Sequence, residues 1–166
     1  MKKISYLSVM PEFIERMSDR GVFLTVAGET TNTMTIGWAT IGYAWKKPVL
    51  MVMVRPSRHT YDLLNRAGRF TVSIPRAGEL HDALVFAGTQ SGRDVDKFSG
   101  HGITAIPAQM PDGFVVAECP LHIECVVVNT EDMLPETVNP DVVQYAYPQN
   151  DLHRLYFGEI IGCYEA

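Results

Sequence analysis

Within six residues, Arg55-Pro56-Ser57-Arg58-His59-Thr60 places two guanidiniums and two hydroxyls where a strand-like apolar run gives way to a helix-like pattern. A phosphate ester close to a dianion needs charge, directional donors and a helix start whose free N–H groups point at it. Arg55, Ser57, Arg58 and Thr60 supply that set. The same residues also suit a solvated strand end followed by a Ser or Thr helix cap. The density of donors in a chain of formal charge -5 favours phosphate.

Two further blocks add the surroundings of a ring. Asn32-Thr33-Met34-Thr35 offers amide and hydroxyl groups at the mouth of a strand, suited to the polar edge of an isoalloxazine, and Trp38 offers a flat apolar surface. A turn asparagine beside a core tryptophan has the same pattern. Ser91-Gly92-Arg93-Asp94-Val95-Asp96-Lys97-Phe98 carries four charges in a glycine-containing loop, which by itself reads as a solvated helix start at Asp94 or Asp96. Lys97 stands apart, because a cation near the flavin N1 and O2 edge stabilises the charge that accumulates there on reduction and raises the potential. His153 suits an orienting or proton-handling group at the reacting face, although a lone histidine is as well placed in a structural role. Taken together, the blocks read as parts of one flavin site.

The elements that must position these groups are mainly strands. Met10, Phe13, Ile14 and Met17 recur at helical spacing, and Pro11 suits a first turn, so a helix is expected from about Pro11 to Ser18. Val22 to Ala27 and the run from Met34 to Tyr43 read as a hairpin around the turn 28–32. Lys46-Lys47-Pro48 breaks the chain before the apolar run Val49 to Val54, the pattern of a strand buried on both faces. A short helix from Tyr61 to Arg66 ends at Gly68, a strand spans 70–74, and Leu80, Ala83, Leu84 and Ala87 mark a helix closed by Gly88. Alternation at 121–128 and 155–163 gives two more strands, separated by a proline-punctuated excursion of loops and turns from Asn129 to Asp151. Many strands, few helices and no βαβ rhythm predict a mainly β fold, a closed antiparallel β barrel with appended short helices.

Bulk properties bound the rest. A length of 166 residues predicts one domain over 1–166, and 46% hydrophobic with 20% charged residues is ordinary for a soluble globular chain. The acidic balance argues against nucleic acid or an anionic membrane as partner. Three cysteines with no CxxC pair predict neither a disulfide framework nor zinc, and together with the lack of a signal-like apolar stretch they predict a cytoplasmic protein. Gly100-His101-Gly102-Ile103-Thr104-Ala105 matches a dinucleotide fingerprint formally, but in the reverse of the strand-to-helix context that fingerprint requires. The histidines lack ligand spacing, so no metal is expected.

The chain resembles the flavin reductase-like family that includes the flavoredoxins, proteins with an FMN-binding split barrel of Greek-key type. The resemblance rests on Asn32 through Trp38, Val54 through Tyr61, Gly88 through Phe98, and His153 through Ile160, in that order and spacing. It implies a homodimer with FMN near the subunit interface, the phosphate on the Arg55 to Thr60 block, and the Asn32 to Trp38 strand, Lys97 and His153 around the ring. Ala87 stands where many relatives carry cysteine, so no thiol role is expected there. Family resemblance leaves the electron acceptor open. One reading is an oxidoreductase that takes a hydride from NADH or NADPH at flavin N5. The other is an electron carrier, reduced by a protein such as a ferredoxin or rubredoxin, with no nicotinamide site.

Overall fold

A computed structural model describes residues 1–166. In chain order the elements are β1 (Lys2–Ile4), α1 (Tyr6–Asp19), β2 (Val22–Val26), β3 (Asn32–Ile36), β4 (Ala39–Ala44), β5 (Lys47–Val54), α2 (His59–Ala67), β6 (Arg69–Ile74) and α3 (His81–Thr89). After these come β7 (Ala105–Pro107), β8 (Phe114–Val116), β9 (Leu121–Asp132), a 3-10 turn (Pro135–Thr137), α4 (Pro140–Ala146) and β10 (Arg154–Glu165).

The fold is mainly β and every strand pairing is antiparallel. Eight strands form one sheet in the order β3-β2-β6-β9-β10-β5-β4, with β1 beside β10, and β7 and β8 form a separate ribbon. The path has two ends, β3 and β4, and no ladder joins them, so the expectation of a closed barrel is not met. The run expected as one strand from Met34 to Tyr43 is two, cut at Gly37-Trp38. That corner carries the chain from one end of the sheet to the other. The seam it leaves beside β5 is where a cleft opens, with Met34, Thr35 and Ile36 of β3 on one side and Met53 of β5 on the other.

Strand β2 is buried along its whole length. By the two-residue alternation of a strand, Val22, Leu24 and Val26 join the main core, while Phe23 points to a second cluster with Ala83, Leu84 and Ala87 of α3, Ile103, Val116 and Cys119. That second cluster fixes α3 against the sheet. Helix α1 starts five residues earlier than the proline suggested, because Ser5 caps it by accepting from the Leu7 N–H (3.2 Å). Its buried stripe is Val9, Phe13 and Arg16, with Ile14 turned outward. Full burial of Val9 and Phe13 contributes roughly 1.5–3 kcal/mol each, enough to set the helix rotation.

The β4–β5 hairpin turns on Trp45 and Lys46, both with positive φ (50° and 60°), so Lys47 and Pro48 lie inside β5 instead of breaking the chain. On the far side, Gly158 of β10 leaves room for the Phe70 ring; a Cβ there would stand 2.7 Å from it. The 129–151 excursion holds the end of β9, the 3-10 turn and α4. No helix is long and apolar enough to cross a membrane.

Candidate active site

Strand β5 delivers the arginine block to the sheet's end. The chain leaves the ladder after Val54, and Arg58, extended at φ -80° and ψ 139°, becomes the N-cap residue of α2. No side chain caps that helix, so the Ser or Thr cap expected as the alternative is absent. The Tyr61 N–H bonds back to the Arg58 carbonyl (3.0 Å), which leaves the N–H groups of His59 and Thr60 without a partner at the positive end of the helix dipole. Each side chain of the block has its own assignment. The Ser57 hydroxyl donates to Asp151 Oδ2 (3.0 Å), and the buried Thr60 hydroxyl accepts from Asn32 Nδ2 (2.8 Å). Arg55 donates to the Ala146 carbonyl (3.2 Å), lies 3.7 Å from Asp151 Oδ2 and covers the Tyr147 ring. The Arg58 guanidinium has no hydrogen bond or ion pair within the protein.

The opposite wall comes from α3 and the loop after it. Arg93 ties that loop to α2 through Asp62 (2.7 Å) and the Ser57 carbonyl (3.2 Å), and the Ser91 hydroxyl accepts from the Arg93 N–H (3.2 Å). Lys97 is 5% exposed and donates to the Ala87 carbonyl (2.7 Å), near the C-terminal end of α3 where a cation is favoured. Gly92 meets Asn32 so closely that a Cβ would stand 2.0 Å from its Oδ1. His59 Nδ1 is buried without a partner, and burial, then the charge of Arg93, holds that ring below its ordinary pKa. The result is a pocket lined by Ser57, Arg58, His59, Thr60, Ser91, Gly92 and Lys97, cationic and rich in donors.

Burial, and after it the Arg58 charge, bring Lys97 down to about 8. An anion bound here favours the ammonium form, so affinity for a phosphate ester is expected to be full below pH 8. It should decline as pH rises from about 8 to the higher value that the bound anion imposes. Titrating affinity between pH 6.5 and 9.5 checks this; a Lys97→Met variant should bind more weakly and lose the decline.

A second cleft adjoins that pocket, sharing Met34, Arg58 and Gly88 with it. Its walls are Thr35, Ile36, Gly37, Trp38, Met53, Arg55 and His153. Trp38 lies 5.2 Å from the His153 ring and 6.1 Å from Tyr147, and the Tyr147 hydroxyl is 2.8 Å from His153 Nδ1. Burial, with Arg55 and Arg58 beside it and only Asp151 opposing, brings His153 down to about 4, so the ring is neutral at physiological pH. A flat aromatic wall with a neutral polar edge, opening into a cationic pocket, suits a planar heterocycle carrying a phosphate tail.

The structure brings most of the expected residues together. Met34, Thr35, Trp38, Arg55, Arg58 and His153 line the cleft, and Ser57, Arg58, Thr60, Ser91 and Lys97 line the anion pocket. Asn32 borders a neighbouring hollow and braces Thr60. Thr33 lies apart, fully buried, with its hydroxyl bonded to Thr25 Oγ1 and the Leu24 carbonyl. The Thr35 hydroxyl donates to the Leu84 carbonyl (2.6 Å) and so ties β3 to α3. Lys97, expected at the ring, stands with the anion pocket and outside the aromatic cleft, because its ammonium is drawn to the Ala87 carbonyl. Tyr147, Gly92 and His59 were not singled out by sequence. Tyr147 lies in the proline-punctuated excursion, where no periodicity marks it.

The model of the flavin reductase like domain matches residues 16–166. The chain belongs to the flavin reductase-like family. Among solved structures, this flavin reductase-like chain is similar to flavoredoxin from Methanosarcina acetivorans, at 26% identity and TM-score 0.68, over 87% of this chain and 67% of that one. Flavoredoxin of Desulfovibrio vulgaris (Miyazaki F) is 26% identical with TM-score 0.67, over 88% and 69% of the two chains. An NADH:FAD oxidoreductase of Streptomyces globisporus shares the fold, at 19% identity and TM-score 0.67 over 87% and 74%.

Proposed function

We propose that this flavin reductase-like protein binds FMN and acts as an NAD(P)H-dependent oxidoreductase of the flavin reductase type. The observation that carries the reading is the free Arg58 guanidinium beside the orphaned His59 Nδ1, at the uncapped start of α2, opening onto the Trp38 and His153 wall. Arg58, Lys97 and the first-turn N–H groups of α2 would hold the phosphate, with Ser91 completing the pocket. Trp38, Met34 and Met53 would cover the ring and exclude water. Bound FMN supplies hydride acceptance at N5 and release of electrons to an acceptor. The residues around it orient the ring and set its electrostatics.

Anaerobic addition of NADH, then NADPH, to the yellow FMN-loaded protein is expected to bleach the visible flavin band with at least one of them. Failure of both would refute the nicotinamide reading. Likeness to two flavoredoxins at 26% identity supports a second reading, an electron carrier reduced by a partner redox protein. Bleaching that requires such a protein and ignores both nicotinamides selects it.

In this reading the protein is a homodimer with FMN near the interface. Trp38 at the cleft, with Tyr43 and Trp45 on the β4–β5 hairpin, leaves large aromatic surface exposed for a second copy. Sedimentation at micromolar concentration giving a monomer would remove that part. Three buried free cysteines suit a reducing, cytoplasmic compartment.

A further inference from the structure

Tyr147 follows α4 directly and is 3% exposed, although α4 itself buries no residue. What holds it in is the cleft: its ring meets Trp38 and His153 edge-on, and the Arg55 guanidinium lies 5.4 Å over it. Its hydroxyl has two neighbours, His153 Nδ1 at 2.8 Å and Met133 Sδ at 3.5 Å. The phenol has one proton to give. An imidazole nitrogen is a far stronger acceptor than a thioether sulfur, so the phenol donates to Nδ1. The reverse polarity, with Nδ1–H donating to the phenol oxygen and the phenol donating to sulfur, exchanges that bond for two weaker ones, since a phenol oxygen is a poor acceptor and a thioether sulfur a poorer one.

A neutral imidazole that accepts at Nδ1 carries its proton on Nε2. His153 Nε2 has no hydrogen bond within the protein and is not among the buried polar atoms left without partners, so it reaches solvent on a residue that lines the cleft. We propose that Tyr147 is a positioning residue that locks His153 in the Nε2–H tautomer, so that the cleft offers an uncharged hydrogen-bond donor to a carbonyl oxygen of the ligand lying against Trp38.

The charged groups facing His153 agree with an uncharged donor. Arg55 from the end of β5 and Arg58 from the start of α2 oppose a third positive charge, and Asp151 on its own loop is the single group that favours one. A neutral donor also leaves Arg55 free to hold the end of α4 through the Ala146 carbonyl. The identity of the ligand rests on the flavin reading above; the tautomer does not.

Long-range proton–nitrogen spectra of the histidine rings at pH 7 test this directly, with His153→Gln assigning the signal. Wild-type protein should show a proton-free Nδ1 and a protonated Nε2, with and without FMN. Tyr147→Phe keeps the ring and should give averaged tautomers. In FMN-loaded protein that variant should lower kcat with the active nicotinamide by about tenfold, while KM and FMN affinity stay within about twofold. A wild-type proton on Nδ1, or a tautomer unchanged in Tyr147→Phe, overturns the proposal. Protein that takes up no FMN but shows the tautomer and its loss supports the tautomer lock and sinks the flavin reading instead.

Discussion

Arg58→Ala is expected to weaken FMN binding by roughly 30- to 100-fold, the equivalent of ~2–3 kcal/mol for charge-assisted bonds to a phosphate. Its guanidinium has no internal partner, so truncation leaves no buried group unsatisfied and should leave the melting temperature unchanged. Arg55→Ala is the instructive contrast. Arg55 holds the Ala146 carbonyl, Asp151 and the Tyr147 ring, so its loss should loosen the 133–152 segment as well as the site. Arg58→Lys should recover only part of the affinity, because an ammonium lacks the fork that engages two phosphate oxygens at once. The Arg58 charge also depresses Lys97, so in Arg58→Ala the decline of affinity should move to higher pH. Fluorescence titration with FMN at two ionic strengths measures all of this; wild-type affinity in Arg58→Ala would place the phosphate elsewhere.

Gly92→Ala is expected to damage both stability and binding. The added Cβ would stand 2.0 Å from Asn32 Oδ1 and 3.1 Å from His59 Cδ2. Asn32 is 4% exposed and cannot swing into solvent without breaking its bond to Thr60, a residue of the first turn of α2. A buried amide or hydroxyl left unpaired costs about 1–3 kcal/mol, and the clash with His59 adds to it. A loss of ~2–3 kcal/mol in urea unfolding, with FMN affinity reduced at least about tenfold, is therefore anticipated. Gly42→Ala serves as the control, since a Cβ there meets nothing within 4 Å and the residue lines neither the pocket nor the cleft. A Gly92→Ala protein that unfolds and binds like wild type would show that the contact with Asn32 does not shape the pocket.

Much of the site was legible because its chemistry is local. The apolar run to Val54, Pro56, and the helix pattern that follows place the arginine block at a strand-to-helix junction within ten residues, and α2 and its Gly68 stop lie where the spacing predicts. The antiparallel character and the β2–β3 hairpin followed from the same local signals. The α1 spacing picks out three residues that do meet the core, Phe13 buried and Met10 and Met17 packed against it, while Ile14 turns outward and Arg16 takes a buried place because Glu12 (3.4 Å) and Glu15 (3.0 Å) neutralise it. Strands β3 and β4 merged in the sequence. Alternation records which face a residue takes and is blind to a corner that moves the chain to another edge.

From the residues alone came the mainly β character, the acidic balance that disfavours polyanion partners, and the donor-rich junction suited to a phosphate. All three depend on residue type and on neighbours a few positions away. Tertiary structure decided which guanidinium stays free, which carbonyl holds Lys97 and which tyrosine reaches His153. Those outcomes hang on hydrogen bonds such as Lys97 to Ala87, Asn32 to Thr60 and Ser57 to Asp151. Each donor had several chemically equal acceptors along the chain, and only the packing of β3, α2, α3 and the 133–152 segment selected among them.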